Sequence, residues 1–103
     1  MKLNIIHRHC EPTPGIDQAI KEKAKKIDNH FSESIEVTWT CHVEPEYQES
    51  TIMVHLENQY FYAAAKEACF YKTIDQAYKK IERQIHDYQE KQRRLGRKPN
   101  AIQ

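Results

Sequence analysis

The sequence predicts an α+β domain, a β-α-β-β-β-α two-layer sandwich in which a four-stranded sheet carries two helices packed on one face. Four short segments show the alternating or β-branched pattern of strands, and two longer segments repeat apolar residues at helical spacing. A chain of 103 residues can bury one such core and not two. We therefore expect a single domain over residues 1–95, followed by a short basic tail over residues 96–103.

The first strand and the first helix are predicted from residues 2–8 and 14–30. Residues 2–8 are short, apolar and β-branched, as strands are. Thr13 can cap the helix, and Pro14 suits the first helical position because that position needs no backbone N–H. One apolar stripe then follows at helical spacing: Ile16, Ile20, Ala24, Ile27 and Phe31. The connection is long enough for the first strand to lie parallel to a neighbour.

Residues 35–43 alternate between apolar and polar side chains, which predicts a half-buried strand with Trp39 on its apolar face. Residues 44–50 contain Pro45 and three glutamates and are typical of a hairpin connection. A third strand is predicted from the period-two repeat over residues 52–56.

A turn at residues 57–59 leads to a fourth strand over residues 60–65. The consecutive aromatic residues of this strand must alternate between the two sheet faces. An RNA-recognition sheet needs its aromatic residues together on an open face. Tyr60 and Tyr62 could serve in that way, but we favour packing in the sheet core.

The last element is a long amphipathic helix that Gly96 and Pro99 end. Its apolar stripe consists of Tyr71, Ile74, Tyr78, Ile81, Ile85 and Tyr88. Cys69 lies near the start of this helix and is interpreted as a buried helix cysteine rather than as a nucleophile. The last five elements also have the α-β-β-β-α order of double-stranded-RNA-binding domains.

Composition excludes several classes of protein. No apolar run approaches the ~20 residues of a membrane span, and the N-terminal residues become polar too early for a signal peptide. The three cysteines are widely separated and odd in number, which indicates a reduced, cytosolic protein without a disulfide framework. With two glycines, the chain cannot build a glycine-rich phosphate loop, and it has no paired-carboxylate or serine-elbow motif. We expect no enzymatic activity, no small-molecule substrate and no cofactor.

A metal site is not expected either. His7, His9 and Cys10 are close in sequence and could join Cys41 and His42 around zinc. Closed zinc sites have short, regular Cys or His spacings, and this sequence lacks them. We interpret these residues as polar groups at a strand end.

The net charge of +1 conceals a strong division along the chain. Residues 1–30 carry six basic and four acidic side chains, residues 31–65 carry six glutamates and no lysine or arginine, and residues 66–103 carry ten basic and five acidic side chains. The first and last thirds can build a basic surface for an anionic partner, although two solvated helix faces would have the same composition. Phosphate binding requires long cationic side chains on a rigid support, which the two helices can supply.

A family resemblance runs through almost the whole chain. The matching positions are Leu3-Asn4-Ile5, His9, Glu11 and Thr13, then Lys23, Lys26, Ile27 and His30-Phe31, then Ala63, Ala65, Tyr71, Ile74-Asp75, Lys80, Arg83-Gln84 and Lys91. In their order and spacing over residues 1–95, they closely resemble the ribosome hibernation-promoting factor and ribosome-associated inhibitor A family, also called sigma-54 modulation proteins. The sequence departs from that family at Cys69, where an aspartate is usual, and at Asn58-Gln59, where a glycine-rich turn is usual.

The resemblance implies a bacterial, cytoplasmic protein that binds the small ribosomal subunit and its ribosomal RNA in the decoding channel, where messenger and transfer RNA sit. Such a protein blocks translation and protects inactive ribosomes in stationary phase or stress, without catalysis. The length favours the short branch, which lacks a dimerising domain, so we expect a free monomer; a second hibernation factor is left open as a partner. The candidate contacts to ribosomal RNA are Lys80, Arg83 and Lys91, with Lys23 and Lys26 from the first helix and with Lys79, Arg93 and Arg94 as helpers.

The spacing of the last helix supports this assignment independently. Positions 80, 83, 87, 91 and 94 share one side of the helix, away from the apolar stripe, and all but Asp87 are cations.

Two other functions stay open. A free double-stranded-RNA-binding module would bind a naked duplex tightly, and a transcription-modulating protein-interaction domain would bind a protein partner that survives high salt.

Overall fold

The structure is a computed structural model that describes residues 1–96, and it confirms the predicted fold. The elements are β1 (Lys2–Arg8), α1 (Pro14–Asp28), β2 (Glu36–Glu44), β3 (Tyr47–His55), β4 (Tyr60–Glu67) and α2 (Phe70–Arg94). The sheet has the order β1-β2-β3-β4, with β1 parallel to β2 and the other neighbours antiparallel. Within residues 1–96, neither helix has an apolar segment long enough to cross a bilayer. Pro99 and the predicted tail beyond Gly96 lie outside the described residues.

One face of the sheet forms the core, and the other is open to solvent. The register places Ile5, Trp39, Ile52 and Ala63 side by side on the core face. Trp39 has no exposed surface. Both helices turn their apolar stripes towards this face, and α2 packs chiefly on β3 and β4. The burial of this apolar surface is the main force that holds the two layers together.

α1 begins as predicted and ends slightly earlier. The hydroxyl of Thr13 accepts a hydrogen bond from the backbone N–H of Ile16 at 3.2 Å, and Pro14 occupies the first turn. The helix ends at Asp28 rather than at residue 30 because Asn29 caps it. The chain then tightens into a turn that carries Phe31 into the core.

α2 is long enough to extend beyond the core. Its 25 residues span about 37 Å, and its last fully buried residue is Ile85. Gly96 has φ 75° and follows the helix, as a helix-ending glycine does. Tyr71 does not belong to the buried stripe as predicted, since it is 52% exposed. It lies at the margin of that stripe, against the first turn of α1, where a Cβ on Gly15 would come within 2.7 Å of its hydroxyl.

The hairpin between β2 and β3 is tighter than predicted. The turn contains only Pro45 and Glu46, so residues 47–50 belong to β3 rather than to a loop. β4 likewise continues past residue 65 to Glu67. Both strands extend because backbone ladder bonds form regardless of the polarity of the side chains above them.

Two further predictions of burial are wrong. Tyr60 and Tyr62 lie on the open face, 61% and 54% exposed, because the pleat of β4 turns Phe61 into the core between them. Cys69 is exposed at the N-cap of α2, since it precedes the first helical turn and its buried stripe.

Candidate nucleic-acid interface

The eight cations selected from the sequence lie on the outer surfaces of the two helices. Lys23 and Lys26 belong to α1, and the others belong to α2. Lys23 is half-buried, and the rest are exposed. Each helix turns its apolar residues to the sheet, which leaves its long cationic side chains facing water.

A first group of cations surrounds Asp75 in the seam between the helices. The carboxylate of Asp75 lies 3.5 Å from Nζ of Lys23 on α1 and 3.2 Å from Nζ of Lys79 one turn along α2. Lys23 and Lys26 also lie over the ring of Tyr78, 4.8 and 6.0 Å from its centroid. We call Lys23, Lys26 and Lys79 the seam cluster.

The seam cluster keeps Asp75 ionised. The hydrogen bond from Lys79 is the main cause that lowers the pKa of Asp75 below its ordinary value, and the charges of Lys79 and Lys23 add to it. The carboxylate therefore carries its negative charge at neutral pH and ties the two helices together. The lysines remain at the surface, where they can exchange this partner for a phosphate.

A second group of cations follows the flank of α2 that lies beside β4. We call Lys80, Arg83, Lys91 and Arg94 the outer row. Nζ of Lys80 donates a hydrogen bond to the backbone carbonyl of Ala64 at 2.8 Å, which identifies this flank. Over residues 1–96, Arg83, Lys91 and Arg94 make no ion pair with the protein itself, so their charges are available to an anion.

The basic surface continues to the end of α2. Lys80 and Lys91 are separated by a rise of about 16 Å along the helix axis. Arg93 is held by Glu90, with 2.8 Å between the guanidinium and the carboxylate. Because these last turns extend beyond the core, the surface is long and narrow, and it can follow successive phosphates of a nucleic-acid strand.

Acidic side chains lie at the other end of the molecule. Glu44, Glu46 and Glu49 belong to the β2–β3 hairpin. Gln48 of this hairpin pairs with Glu67 at the end of β4, so α2 begins near the hairpin and runs away from it. This separation of charge would orient the protein in the electric field of a polyanion, with the basic end of α2 towards the polyanion and the acidic hairpin away from it.

The residues considered as zinc ligands divide between the two faces of the sheet. The core side holds His7, Cys10 and Cys41. Nε2 of His7 lies 3.1 Å from the carboxylate of Asp17, and burial raises the pKa of Cys41 to about 12. His9 and His42 lie together by the open face, with ring centroids 5.8 Å apart. The three cysteines are free thiols.

The open face carries an aromatic group that sequence reasoning considered for Tyr60 and Tyr62 but did not favour. Tyr60 stacks on His55, with ring centroids 4.3 Å apart and ring planes 6° apart. The signal was available, because Ala63 and Ala65 have the same strand parity as Phe61 and fit under a helix, whereas the tyrosines have the opposite parity.

Comparison with known proteins identifies relatives of the whole described domain. The sequence profile of the family "Sigma 54 modulation protein / S30EA ribosomal protein" matches residues 3–93. The ribosome hibernation promoting factor of Pseudomonas putida is 27% identical over 95 residues, which cover 92% of this chain and 93% of that protein. The factor of the same name from Azotobacter vinelandii is 27% identical over 101 residues, which cover 96% and 94%.

Solved structures show the same fold. The N-terminal domain of Thermus thermophilus Protein Y matches with a TM-score of 0.78 and 20% identity over 85% of this chain and 99% of that chain. A ribosomal subunit interface protein from Coxiella burnetii matches with a TM-score of 0.76 and 18% identity over 86% and 98%. Since the family profile matches residues 3–93, nearly all of the described structure, the chain belongs to the sigma 54 modulation protein / S30EA ribosomal protein family.

Proposed function

We propose that this protein is a ribosome hibernation factor that binds the small ribosomal subunit in the decoding channel and blocks access of messenger and transfer RNA. The family and the names of the relatives in Pseudomonas putida and Azotobacter vinelandii support ribosome hibernation as the process. The basic surface along both helices is the observation that carries the choice of ribosomal RNA as the partner. The protein acts in the cytoplasm, in stationary phase or stress, and stabilises inactive ribosomes.

The seam cluster and the outer row supply affinity by neutralising phosphates. Such contacts position a protein on RNA without reading base edges, which suits a factor that must bind every ribosome. Each neutralised phosphate releases counterions, so binding depends steeply on salt. The rigid core supplies the block itself, and this mechanism requires neither a reactive group nor a cofactor.

The proposal is tested by the sedimentation of a stationary-phase lysate, with the protein detected in each fraction. We expect it with the small subunit and assembled ribosomes at low salt and at the top of the gradient at high salt. Purified protein should bind the assembled small subunit far more tightly than a naked RNA duplex. Equal binding to the duplex would favour a free RNA-binding module, and a salt-resistant complex with a protein would favour a transcription modulator; either result would contradict the proposal.

A further inference from the structure

Two histidines and a glutamate converge where β1 and β2 end. His42 and Glu44 are two residues apart in β2, so both project on the open face of the sheet. The parallel pairing of Arg8 with His42 brings the end of β1 alongside, and His9 follows directly. His9 has φ 56°, a left-handed conformation in which the chain turns out of the strand.

The candidate ligand atoms of this cluster are close enough to share one ion. One nitrogen from each of His9 and His42 and one carboxylate oxygen of Glu44 all lie within 4.8 Å of one another. Nδ1 of His9 is 3.6 Å and Nε2 of His42 is 2.5 Å from the same Glu44 oxygen. Ligand atoms around a tetrahedral zinc with bonds of about 2.0–2.1 Å are separated by roughly 3.3 Å, so small side-chain movements would suffice.

A second carboxylate lies beside the other ring nitrogen of His42. Nδ1 of His42 lies 3.8 Å from a carboxylate oxygen of Glu49, which is its cross-strand partner in β3. A metal-binding histidine commonly gives its other ring N–H to a carboxylate, because this fixes the ring and strengthens the ligand. Tyr47 packs edge-on against the same ring, with centroids 6.3 Å apart. The His42 ring is therefore bonded to Glu44 and lies close to Glu49 and to the ring of Tyr47.

We propose that His9, His42 and Glu44 form a binding site for a divalent transition-metal ion, with zinc as the best fit. Two imidazoles and one carboxylate match the ligand preference of zinc, and a water molecule would complete a tetrahedron. Magnesium and calcium prefer shells made of oxygen alone, so the two nitrogen donors select against them. Glu44 and Glu49 supply the negative charge that a dication needs in a half-exposed position.

This proposal departs from the expectation of no metal because the fold, and not the sequence spacing, assembles the ligands. His9 and His42 come together only through the parallel pairing of β1 and β2. The site lies on the side of the sheet opposite to the helices that carry the seam cluster and the outer row. Metal binding is therefore independent of the proposed ribosome contact, and it would pin the segment that leads into α1 to the end of β2.

The test is a titration of untagged, metal-free protein with zinc chloride, in competition with a chromophoric chelator. We expect one zinc ion per chain and at least tenfold weaker binding in His9→Ala, His42→Ala and Glu44→Gln. The matched control is His86→Ala, which removes an exposed histidine of α2 and should leave zinc affinity unchanged. Magnesium chloride should not compete with zinc at a hundredfold excess.

A second measurement on the unaltered protein removes any dependence on the folding of the variants. In a ¹H–¹⁵N spectrum of the histidine rings, zinc should shift the resonances of His9 and His42 and leave those of His55 and His86 in place. The proposal is overturned if zinc shifts all histidines alike, if the ligand variants bind zinc like the parent, or if no one-to-one binding is detected.

Discussion

Asp75 of α2 lies 3.5 Å from the ammonium group of Lys23 on α1, so a single carboxylate joins the two helices in the middle of the proposed RNA-binding surface. The same carboxylate also pairs with Lys79 at 3.2 Å. The Asp75 carboxylate thus joins the lysines of the seam cluster at the place where we expect an RNA phosphate to bind. We expect these ion pairs to contribute to the free energy of unfolding and to make it depend on pH.

We expect Asp75→Asn to lower the free energy of unfolding by up to about 1 kcal/mol at pH 7, since exposed ion pairs contribute no more than that. Its neighbours lower the pKa of Asp75 in the folded protein, so the carboxylate stabilises the fold above its unfolded pKa of about 3.9. That contribution is lost as the pH falls through the lower folded pKa. Urea unfolding should therefore show a difference between parent and variant at pH 7 that shrinks once the pH falls below the unfolded pKa of about 3.9.

The matched control is Asp87→Asn, which neutralises an exposed carboxylate of the same helix that lies 3.8 Å from Nδ1 of its neighbour His86. It should leave both the stability and its pH dependence unchanged. A difference for Asp75→Asn that persists undiminished at the acidic end would contradict the ion-pair account.

The outer row is tested by charge reversal at two positions. Lys80→Glu with Arg83→Glu removes two proposed phosphate contacts and adds two repulsions, so binding to the small subunit should weaken by at least about tenfold. Both side chains are exposed, so the free energy of unfolding should change by no more than about 1 kcal/mol. Co-sedimentation with ribosomes measures the binding, and circular dichroism checks the fold.

The control for charge reversal is Glu46→Lys with Glu49→Lys, two glutamates of the β2–β3 hairpin, the end of the sheet from which α2 runs away. This pair should leave ribosome binding intact. The site assignment fails if the outer-row variant is folded and still co-sediments like the parent.

The salt dependence of ribosome binding measures how many phosphates the protein neutralises. If six or more phosphates are neutralised, affinity for the small subunit should fall by roughly a thousandfold between about 50 and 200 mM salt. Arg83→Gln and Lys91→Gln should each reduce the slope of log affinity against log salt by somewhat less than about one. Lys66→Gln is the comparison, because Lys66 lies over the ring of Tyr47 on the open face, away from the helices. An unchanged slope in both outer-row variants would remove those residues from the contact.

Tyr78 makes the protein sensitive to alkali. Burial, together with its hydrogen bond to Glu82 at 2.8 Å, raises the pKa of Tyr78 to about 12. Because the folded pKa is above the unfolded value of about 10, Tyr78 stabilises the fold fully below pH 10, and this contribution is lost as the pH rises through about 12. In urea unfolding at pH 9 and pH 11, Tyr78→Phe should lose less stability than the parent over this interval. Tyr62→Phe, which alters an exposed ring, should behave like the parent.

We expect the free protein to be a monomer, since both helices bury their apolar stripes on one sheet. Light scattering at micromolar concentration should return the mass of one chain. A stable dimer would instead point to the open face, where Met53, Tyr60 and Tyr62 are exposed, and Tyr62→Lys would then dissociate it.

The order and type of the elements could be predicted because each apolar stripe has the period of one structure. Hydrophobic periodicity did not predict those segments whose side chains lack an apolar repeat. The polar start of β3 pairs with β2 through its backbone, and nothing in residues 47–50 marks that pairing. Tyr71 has helical spacing, but it lies at the margin of the stripe and 52% of its surface stays exposed.

The candidate site was predictable only in part. Spacing along one helix placed Lys80, Arg83 and Lys91 on a common flank, because that relation is local. The tie between Lys23 and Asp75 depends on how α1 packs on α2, and the approach of His9 to Glu44 depends on the pairing of β1 with β2. Tertiary relations of this kind have no signature in a single sequence.

The flank of α2 beside β4 also shields the backbone of the last strand in the sheet. Gln84 accepts a hydrogen bond from the N–H of Tyr62 at 3.3 Å and donates one to its carbonyl at 2.7 Å, while Lys80 donates to the carbonyl of Ala64. An edge strand with unpaired N–H and C=O groups is a template for strand addition and aggregation. Here the protein's own helix occupies three of those groups on β4, so Lys80 and Gln84 make this edge a poorer template for a second chain.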